Sequence, residues 1–171
     1  NNYLGFADHP LLAAAGITAL TTAGSGSGAS RLISGNMSAH QEAETALAAY
    51  VGQPAARLFS SGYAANVGSL QALAEPGDVL FSDALNHASL IDGCRLSRAR
   101  VERYRHTDLG HLRDLLVAQR SKAHRAFIVT DALFSMDGDV APLAALRTLA
   151  NEFEASLYVD EAHSVGVLGP A

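Results

Sequence analysis

The chain has 171 residues, of which 49% are apolar and 17% are charged, and its formal net charge is -5. This composition suffices for one sizeable α/β core, and scattered acidic residues exclude the basic surface that nucleic-acid binding requires. Cys94 is the only cysteine, which excludes a disulfide framework or a thiolate zinc cluster and indicates a reducing, cytoplasmic location. The apolar runs are shorter than the roughly 18 residues of a membrane span, so we expect no membrane partner.

The periodicity of the sequence predicts helices and strands that alternate along most of the chain. Two helices are predicted first, at residues 10–22 and 40–51. Strands are predicted at residues 57–60, 79–82, 100–104, 126–130 and 156–160, and further helices at residues 64–74, 87–97, 109–120 and 142–153. Such alternation is typical of βαβ units, so we expect an α/β/α three-layer fold around a mostly parallel sheet.

A glycine- and serine-rich loop, GSGSGAS at residues 24–30, joins the first two predicted helices. A dinucleotide-binding fingerprint needs a strand before its glycines, and here a helix precedes them. The loop is interpreted as flexible or facing a substrate, with a plain connector as the alternative.

Asp160 is the last residue of a predicted apolar strand and begins the sequence DEAH at residues 160–163. The carboxyl ends of parallel strands line the crevice where ligands bind, so this carboxylate is expected to face a ligand. The alternative is that Asp160 only caps the following turn.

A phosphate site is predicted where the sequence SSGYAAN, residues 60–66, passes from a strand into a helix. Free N–H groups and the positive end of the helix dipole would hold a dianionic phosphate there, and Gly62 would let the backbone approach it closely. The alternative is ordinary serine capping of the helix.

Two other strand ends carry side chains that could contact a planar cofactor. His87 lies at the head of a predicted helix and could stack on a ring, although a histidine there could equally be a capping or surface residue. Ser135 offers a hydroxyl group within FSMDGD, a sequence that by itself signals only a turn. Together, the four strand ends offer a phosphate nest, an aromatic ring, a hydroxyl group and an acid, which are the parts that pyridoxal 5'-phosphate requires.

Six ordered stretches of the chain resemble the α-oxoamine synthases, which are fold-type I pyridoxal-phosphate enzymes. They are NNYLG at residues 1–5, GSG at 26–28 leading to SG at 34–35, SGYAAN at 61–66, NHAS at 86–89, FSMDG at 134–138 and DEAH at 160–163. The resemblance implies that residues 1–171 are part of the cofactor-binding large domain of a fold-type I aminotransferase. An N-terminal segment and a C-terminal small domain would complete the full-length protein.

The same resemblance implies roles for individual residues. Asp160 would bind the pyridine nitrogen and His87 would stack on the ring, and both would act in catalysis together with His163. His163 and Ser135 would contact the ring oxygen. Gly62 and Tyr63 would contact the phosphate or neighbouring cofactor atoms. Asn1 would contact the amino-acid substrate.

The activity that the resemblance implies is a decarboxylative condensation of a small amino acid with an acyl thioester of coenzyme A or acyl carrier protein. The sequence GYAAN at residues 62–66 is most similar to members that join L-alanine to a pimeloyl thioester in biotin synthesis. Residues 86–93 and 160–166 also resemble sister enzymes that use glycine or serine, of the 2-amino-3-ketobutyrate ligase, 5-aminolevulinate synthase and serine palmitoyltransferase types. A homodimer with active sites at the subunit interface is implied as well.

The lysine that such enzymes link to the cofactor is expected downstream of the segment matched by residues 160–163. Lys122 is the only lysine in the chain and lies in a polar connection between a predicted helix and strand. The full-length protein is therefore expected to be the enzyme. The isolated segment is expected to be inactive, as a cofactor-binding or dimer-forming piece without catalysis.

Overall fold

A computed structural model describes residues 1–169 of the chain. They form two compact units, Asn1–Phe59 and a second unit that begins at Ser60. All the predicted site residues from Gly62 onward lie in the second unit, whereas Asn1 lies in the first. Within the described residues, no helix is long and apolar enough to cross a lipid bilayer.

The first unit contains two helices, α1 (Pro10–Ala23) and α2 (Ser38–Tyr50). Pro10 occupies the first turn of α1, where the missing N–H group costs no helical hydrogen bond, and His9 Nδ1 accepts the N–H group of Leu11. α1 buries none of its side chains, whereas α2 buries Glu44 and Ala48.

Glu44 explains why the strand predicted at residues 57–60 is wrong. Its Oε1 accepts from the Arg31 guanidinium and from the N–H group of Leu58, both at 2.7 Å, and Arg31 also donates to the Leu58 carbonyl oxygen at 3.1 Å. Side chains therefore satisfy the backbone groups that a strand ladder would use, and the segment stays irregular. The bond from Arg31 is the largest cause that lowers the pKa of Glu44 to about 2.

The second unit is built on a four-stranded parallel sheet of order β2-β1-β3-β4. Its strands are β1 (Val79–Asp83), β2 (Arg100–Tyr104), β3 (Ala126–Asp131) and β4 (Ser156–Asp160), and its helices are α3 (Gly62–Leu73), α4 (Ala88–Leu96), α5 (Leu109–Gln119) and α6 (Leu143–Glu152). A 3₁₀ turn, Arg120–Lys122, follows α5. The four strands and the helices α3 to α6 were predicted from the sequence within two residues of the observed bounds, whereas the 3₁₀ turn was not predicted.

Helices cover both faces of this sheet. Successive residues of β1 point to opposite faces, so that Val79 and Phe81 pack in the core with α5 and α6 while Leu80 packs with α3 and α4. In β3, Ile128 and Val129 divide between the two cores in the same way. Burying each such side chain contributes about 1.5–3 kcal/mol to stability. The predicted three-layer α/β/α architecture is confirmed.

The order of the strands determines where a ligand crevice forms. From β1 the chain connects to β2 on one side, and from β2 it crosses to β3 on the other side of β1. The order of strands in the sheet therefore reverses at β1 and β3, which makes a topological switch point there. In open α/β sheets, ligands bind beside such a reversal at the carboxyl ends of the strands. Asp83, Asp131 and Asp160 end β1, β3 and β4, so acidic side chains mark this edge.

Candidate functional site

Asp160 is held by the protein through both of its carboxylate oxygens. Oδ1 accepts from the N–H group of Ala162 at 2.8 Å, and Oδ2 accepts from Nδ2 of Asn66 on α3 at 2.7 Å. The bond to Ala162 confirms that Asp160 caps the next turn, but the bond to Asn66 adds a connection far along the chain. Each oxygen has a second lone pair, so the carboxylate is still able to accept a bond from a ligand.

Asp131 is a site residue that the sequence analysis missed. It pairs in register with Asp160, and the residue is 5% exposed. Its Oδ2 accepts the backbone N–H group of His87 at 2.8 Å. Burial is the largest cause that raises the pKa of Asp131, and the charge of Asp160 raises it further, while the bond from His87 and the charges of His87 and His163 oppose the rise. Three predicted site residues therefore lie within electrostatic reach of one buried acid.

His87 caps α4, as the alternative interpretation of its position predicted. Its Nδ1 accepts the N–H group of Ser89 at 3.2 Å and lies 2.7 Å from Ser89 Oγ. The residue is nevertheless exposed. Because one ring nitrogen is held by Ser89 and the backbone N–H group is held by Asp131, the imidazole is oriented while a ligand could still reach it.

The start of α3 has the features that a phosphate site needs. Ser61 Oγ accepts the N–H group of Ala64 at 3.1 Å, so the serine-capping alternative is confirmed. Gly62 and Tyr63 come earlier in the first turn, where helical N–H groups have no acceptor within the helix. A Cβ atom on Gly62 would meet no other atom within 4 Å, so open space lies beside the helix start. The Tyr63 hydroxyl donates to Asp92 Oδ2 of α4 at 2.6 Å, which ties the two helices together.

Ser135 and His163 follow the ends of β3 and β4. Ser135 is exposed in a tight turn that is closed by a bond from the Gly138 N–H group to the Phe134 carbonyl oxygen at 2.9 Å. His163 is partly buried in the turn after β4. Asn1 lies in the first unit, where its Nδ2 donates to the Tyr3 hydroxyl oxygen at 2.8 Å. The roles of all three toward cofactor or substrate stay predictions.

A second polar cluster, formed by Asp83, His106 and Asp139, was also missed from the sequence. His106 Nδ1 lies 2.8 Å from Asp83 Oδ1, and its Nε2 lies 2.5 Å from Asp139 Oδ2. Burial lowers the pKa of His106, but the bonds to the two carboxylates outweigh burial and raise it. Asp83 packs on the face of the sheet opposite Asp131, because alternate strand residues point to opposite faces. This cluster ties the end of β1 to the turn that carries Ser135.

Lys122 lies away from this carboxyl edge. It lines a small cleft with Asp78 and Arg100, which stand at the amino ends of β1 and β2. Because Asp160 marks the opposite ends of the strands, Lys122 is not placed to reach a ligand held there. Within the described residues, no group of three or more His, Cys, Asp or Glu side chains is arranged to hold a metal ion.

Two curated proteins similar to this chain carry the same name. The 8-amino-7-oxononanoate synthases of Geotalea daltonii and Chromobacterium violaceum are 57% and 55% identical to it over 169 residues, or 99% of the chain. The chain spans 43% of the first relative and 44% of the second.

Solved structures show the same architecture. A serine palmitoyltransferase from S. paucimobilis with a bound PLP–myriocin aldimine is 38% identical with a TM-score of 0.95, covering 99% of this chain and 42% of that one. An 8-amino-7-oxononanoate synthase from Francisella tularensis is 33% identical with a TM-score of 0.82, covering 98% and 45%.

The family model for aminotransferase class I and II matches residues 1–171. This match agrees with the relatives and with the parallel sheet, and it confirms the resemblance that the six sequence motifs carried. The chain belongs to the aminotransferase class I and II family.

Proposed function

We propose that the full-length protein containing this chain is a pyridoxal-phosphate-dependent acyltransferase. It would condense L-alanine with a pimeloyl thioester to give 8-amino-7-oxononanoate, carbon dioxide and the free thiol carrier, a step of biotin synthesis. The structural observation that carries the proposal is the Asp160 carboxylate, anchored through both oxygens at the carboxyl end of β4. The choice of substrates is supported by the 57% identity to the Geotalea daltonii relative of that name.

The residues present fit pyridoxal phosphate, which has an anionic phosphate and a basic ring nitrogen. The N-terminus of α3 offers unpaired N–H donors and open space at Gly62, and Asn66, about one helical turn further on, contacts Asp160. One helix thus connects a site for the phosphate to an acid for the ring nitrogen. An anion beside that nitrogen favours its protonated form. When bound, the cofactor supplies an electron sink for a carbanion at the substrate Cα.

Other residues of the site would orient the cofactor and substrate. The His87 imidazole would lie against the ring, held by Ser89 and Asp131. His163 and Ser135 would donate hydrogen bonds to the ring oxygen, and Asn1 would contact the amino-acid substrate. The lysine linked to the cofactor would come from beyond residues 1–171, because Lys122 lies at the amino edge of the sheet.

We also propose that the full-length protein is a cytoplasmic homodimer. Its second substrate would be a thioester of coenzyme A or acyl carrier protein. Exposed apolar side chains on α1, namely Leu11, Leu12, Ile17 and Leu20, are compatible with a further protein surface packing there. Light scattering of the purified protein would show twice the subunit mass if this assembly is correct.

The decisive experiment titrates the full-length protein, loaded with pyridoxal phosphate, against L-alanine, glycine and L-serine. The absorbance of the bound cofactor should shift saturably at a far lower concentration of L-alanine than of the other two. Incubation with L-alanine and a pimeloyl thioester should then yield 8-amino-7-oxononanoate, detected by mass spectrometry.

A second candidate function is that of a serine-using sister enzyme. It is favoured by the TM-score of 0.95 with serine palmitoyltransferase, compared with 0.82 for the Francisella tularensis synthase. A saturable shift with L-serine at the lowest concentration would support this candidate, and preference for glycine would indicate the ligase or aminolevulinate type. A protein that takes up no pyridoxal phosphate would overturn all of these functions.

A further inference from the structure

We infer that Asn66 is a positioning residue that orients both Asp160 and His87 toward the cofactor. This inference rests on the proposed pyridoxal-phosphate function and adds a residue of α3 to the site. Asn66 is 6% exposed, and it forms hydrogen bonds with three side chains from two other elements of the fold.

The partners of Asn66 fix its amide in one orientation. Nδ2 donates to Asp160 Oδ2 at 2.7 Å and to Ser89 Oγ at 2.9 Å, and Oδ1 accepts from the Tyr158 hydroxyl at 2.9 Å. A carboxylate only accepts hydrogen bonds, so the NH₂ group must face Asp160 and the carbonyl oxygen must face Tyr158. Both amide protons are used, and the side chain has no freedom to rotate without losing a bond in a buried position.

One branch of this network reaches the ring of His87. Because Ser89 Oγ accepts from Asn66, its own proton is free to point at His87 Nδ1, 2.7 Å away. The Ser89 N–H group also donates to Nδ1 at 3.2 Å. With two donors directed at it, Nδ1 is an acceptor, so the ring proton lies on Nε2. Asn66 thereby adds to the bond from the Ser89 N–H group in favouring this tautomer of the residue expected to stack on the cofactor.

The other branch fixes the acid. Tyr158 lies two residues before Asp160 on β4, so both side chains point to the α3 face of the sheet. Burial is the main cause that raises the pKa of Tyr158, so the phenol keeps its proton and continues to donate to Asn66. The amide in turn donates to Asp160, and this holds the carboxylate plane in a set direction.

Asn86 is a buried asparagine of the same fold whose bonds go mainly to the backbone. Its amide donates to the Val129 carbonyl oxygen at 2.8 Å and to Ser82 Oγ at 2.9 Å, and it accepts the Asp131 N–H group at 3.1 Å, so two of its three bonds go to the backbone. Asn66 instead bonds only side chains, and two of these lead directly to predicted cofactor contacts. This difference separates a positioning role from a packing role.

The test uses the full-length protein and two variants of Asn66, with a matched control on the same helix. Asn66→Leu keeps the branched shape and the number of heavy atoms of the side chain and removes all three bonds. Asn66→Asp places a second carboxyl group beside Asp160, and the pair would share a proton at low pH and repel at high pH. The control is Gln71→Leu, which removes an exposed amide that bonds only to the Val67 carbonyl oxygen. Affinity for pyridoxal phosphate is measured from pH 6 to 8.5, together with thermal unfolding.

We expect Asn66→Leu to bind pyridoxal phosphate at least 10-fold more weakly at every pH. Asn66→Asp should bind nearly as well as the unmodified protein at pH 6 and at least 10-fold more weakly at pH 8.5. Gln71→Leu should bind like the unmodified protein. Loss of thermal stability in Asn66→Leu with cofactor affinity within threefold of normal would show a structural role only and overturn the inference.

A measurement without cofactor separates this inference from the proposed function. Nitrogen-15 NMR of the cofactor-free protein should show His87 with the proton on Nε2, and Asn66→Leu should shift the tautomer balance toward Nδ1. An unchanged His87 spectrum in that variant would overturn the link between the two residues. Failure of the unmodified protein to bind pyridoxal phosphate would overturn the proposed function and, with it, the cofactor-directed part of the inference.

Discussion

Asp131 and Asp160 pair in register at the ends of β3 and β4, so two carboxyl groups stand side by side on one face of the sheet. They differ in their partners. Asp131 is buried and bonds the His87 backbone, while Asp160 bonds Asn66 and the Ala162 N–H group. The charge of Asp160 contributes to the raised pKa of Asp131. The two acids therefore differ in their expected roles. Asp131 holds the backbone at His87, and Asp160 keeps lone pairs with which it could accept a bond from a protonated ring nitrogen.

Asp160→Asn should reduce turnover far more than stability. The amide has nearly the shape of the carboxylate but cannot serve as the charge partner of a protonated ring nitrogen, so turnover should fall by about 100-fold or more. The amide can accept only one of the two bonds that Asp160 accepts from Ala162 and Asn66, so stability should fall by only about 1 kcal/mol. Steady-state kinetics and urea unfolding of the full-length protein measure the two effects. Asp114→Asn, at an exposed acid of α5, is the matched control. Equal losses of turnover and stability would contradict the role assigned to Asp160.

Asp131→Asn should stabilise the protein increasingly as the pH rises. The folded-state pKa of Asp131 is raised, so its ionisation opposes folding. This cost to the free energy of folding is absent below about pH 3.9, the ordinary pKa of an Asp in the unfolded chain. It increases with pH and is complete above the pKa of Asp131 in the folded state. Unfolding free energies of variant and unmodified protein between pH 4 and 8 measure this. Asp131→Ala should be about 1–3 kcal/mol less stable than Asp131→Asn, because it leaves the His87 N–H group unpaired. A difference in unfolding free energy between Asp131→Asn and the unmodified protein that does not change with pH would refute the expectation.

His106→Asn should remove a stabilisation that the unmodified protein shows in mildly acidic solution. The pKa of His106 is raised in the folded state despite its burial, by the bonds to Asp139 and Asp83. Its contribution is therefore fully present below about pH 6.5 and is lost as the pH rises through the folded pKa. Thermal unfolding between pH 6 and 9 should show this loss in the unmodified protein and in His124→Asn, an exposed control. A similar loss of thermal stability with rising pH in His106→Asn would show that the bonds of His106 to Asp83 and Asp139 are not its cause.

Gly93→Ala should lower the stability of the protein, whereas Gly62→Ala should lower only its affinity for pyridoxal phosphate. A Cβ on Gly93 would lie 2.8 Å from Leu70 Cδ1 and 2.9 Å from the Asn66 carbonyl oxygen, where α4 packs against α3. Overpacking of this kind typically costs about 1–3 kcal/mol of stability. Gly62→Ala meets open space, so folding should be unaffected while affinity for pyridoxal phosphate falls. Urea unfolding and titration with pyridoxal phosphate are measured for both variants. Normal affinity for pyridoxal phosphate in Gly62→Ala would contradict the phosphate site.

Local sequence patterns were sufficient to predict most secondary structure of the second unit. The alternation of apolar runs with helical patterns predicted β1 to β4 and α3 to α6, because burial on both faces of a parallel sheet leaves a clear apolar signal. The strand predicted at residues 57–60 failed for a long-range reason. Glu44 and Arg31 satisfy the backbone groups of Leu58, and nothing near residue 58 in the sequence indicates this.

The candidate site was only partly predictable. Asp160, His87 and Gly62 stand at strand ends and helix starts, where a local pattern predicts an exposed edge position. Asp131 ends an apolar strand in the same way and could have been found by the same rule. Asn66 carried no such signal, because its position one turn into α3 matters only through contacts with Ser89, Tyr158 and Asp160.

The sequence by itself determined the order of helices and strands in the second unit, the parallel α/β/α class and the family, since these depend on periodicity and on motifs of a few adjacent residues. Only the tertiary structure decided which polar side chains meet. Hydrogen bonds such as that between Asn66 and Asp160 join residues 94 positions apart, and their geometry depends on strand register and helix packing together. The ring tautomer of His87 and the raised pKa of Asp131 follow from that packing, because both depend on burial and on neighbours that chain order does not reveal.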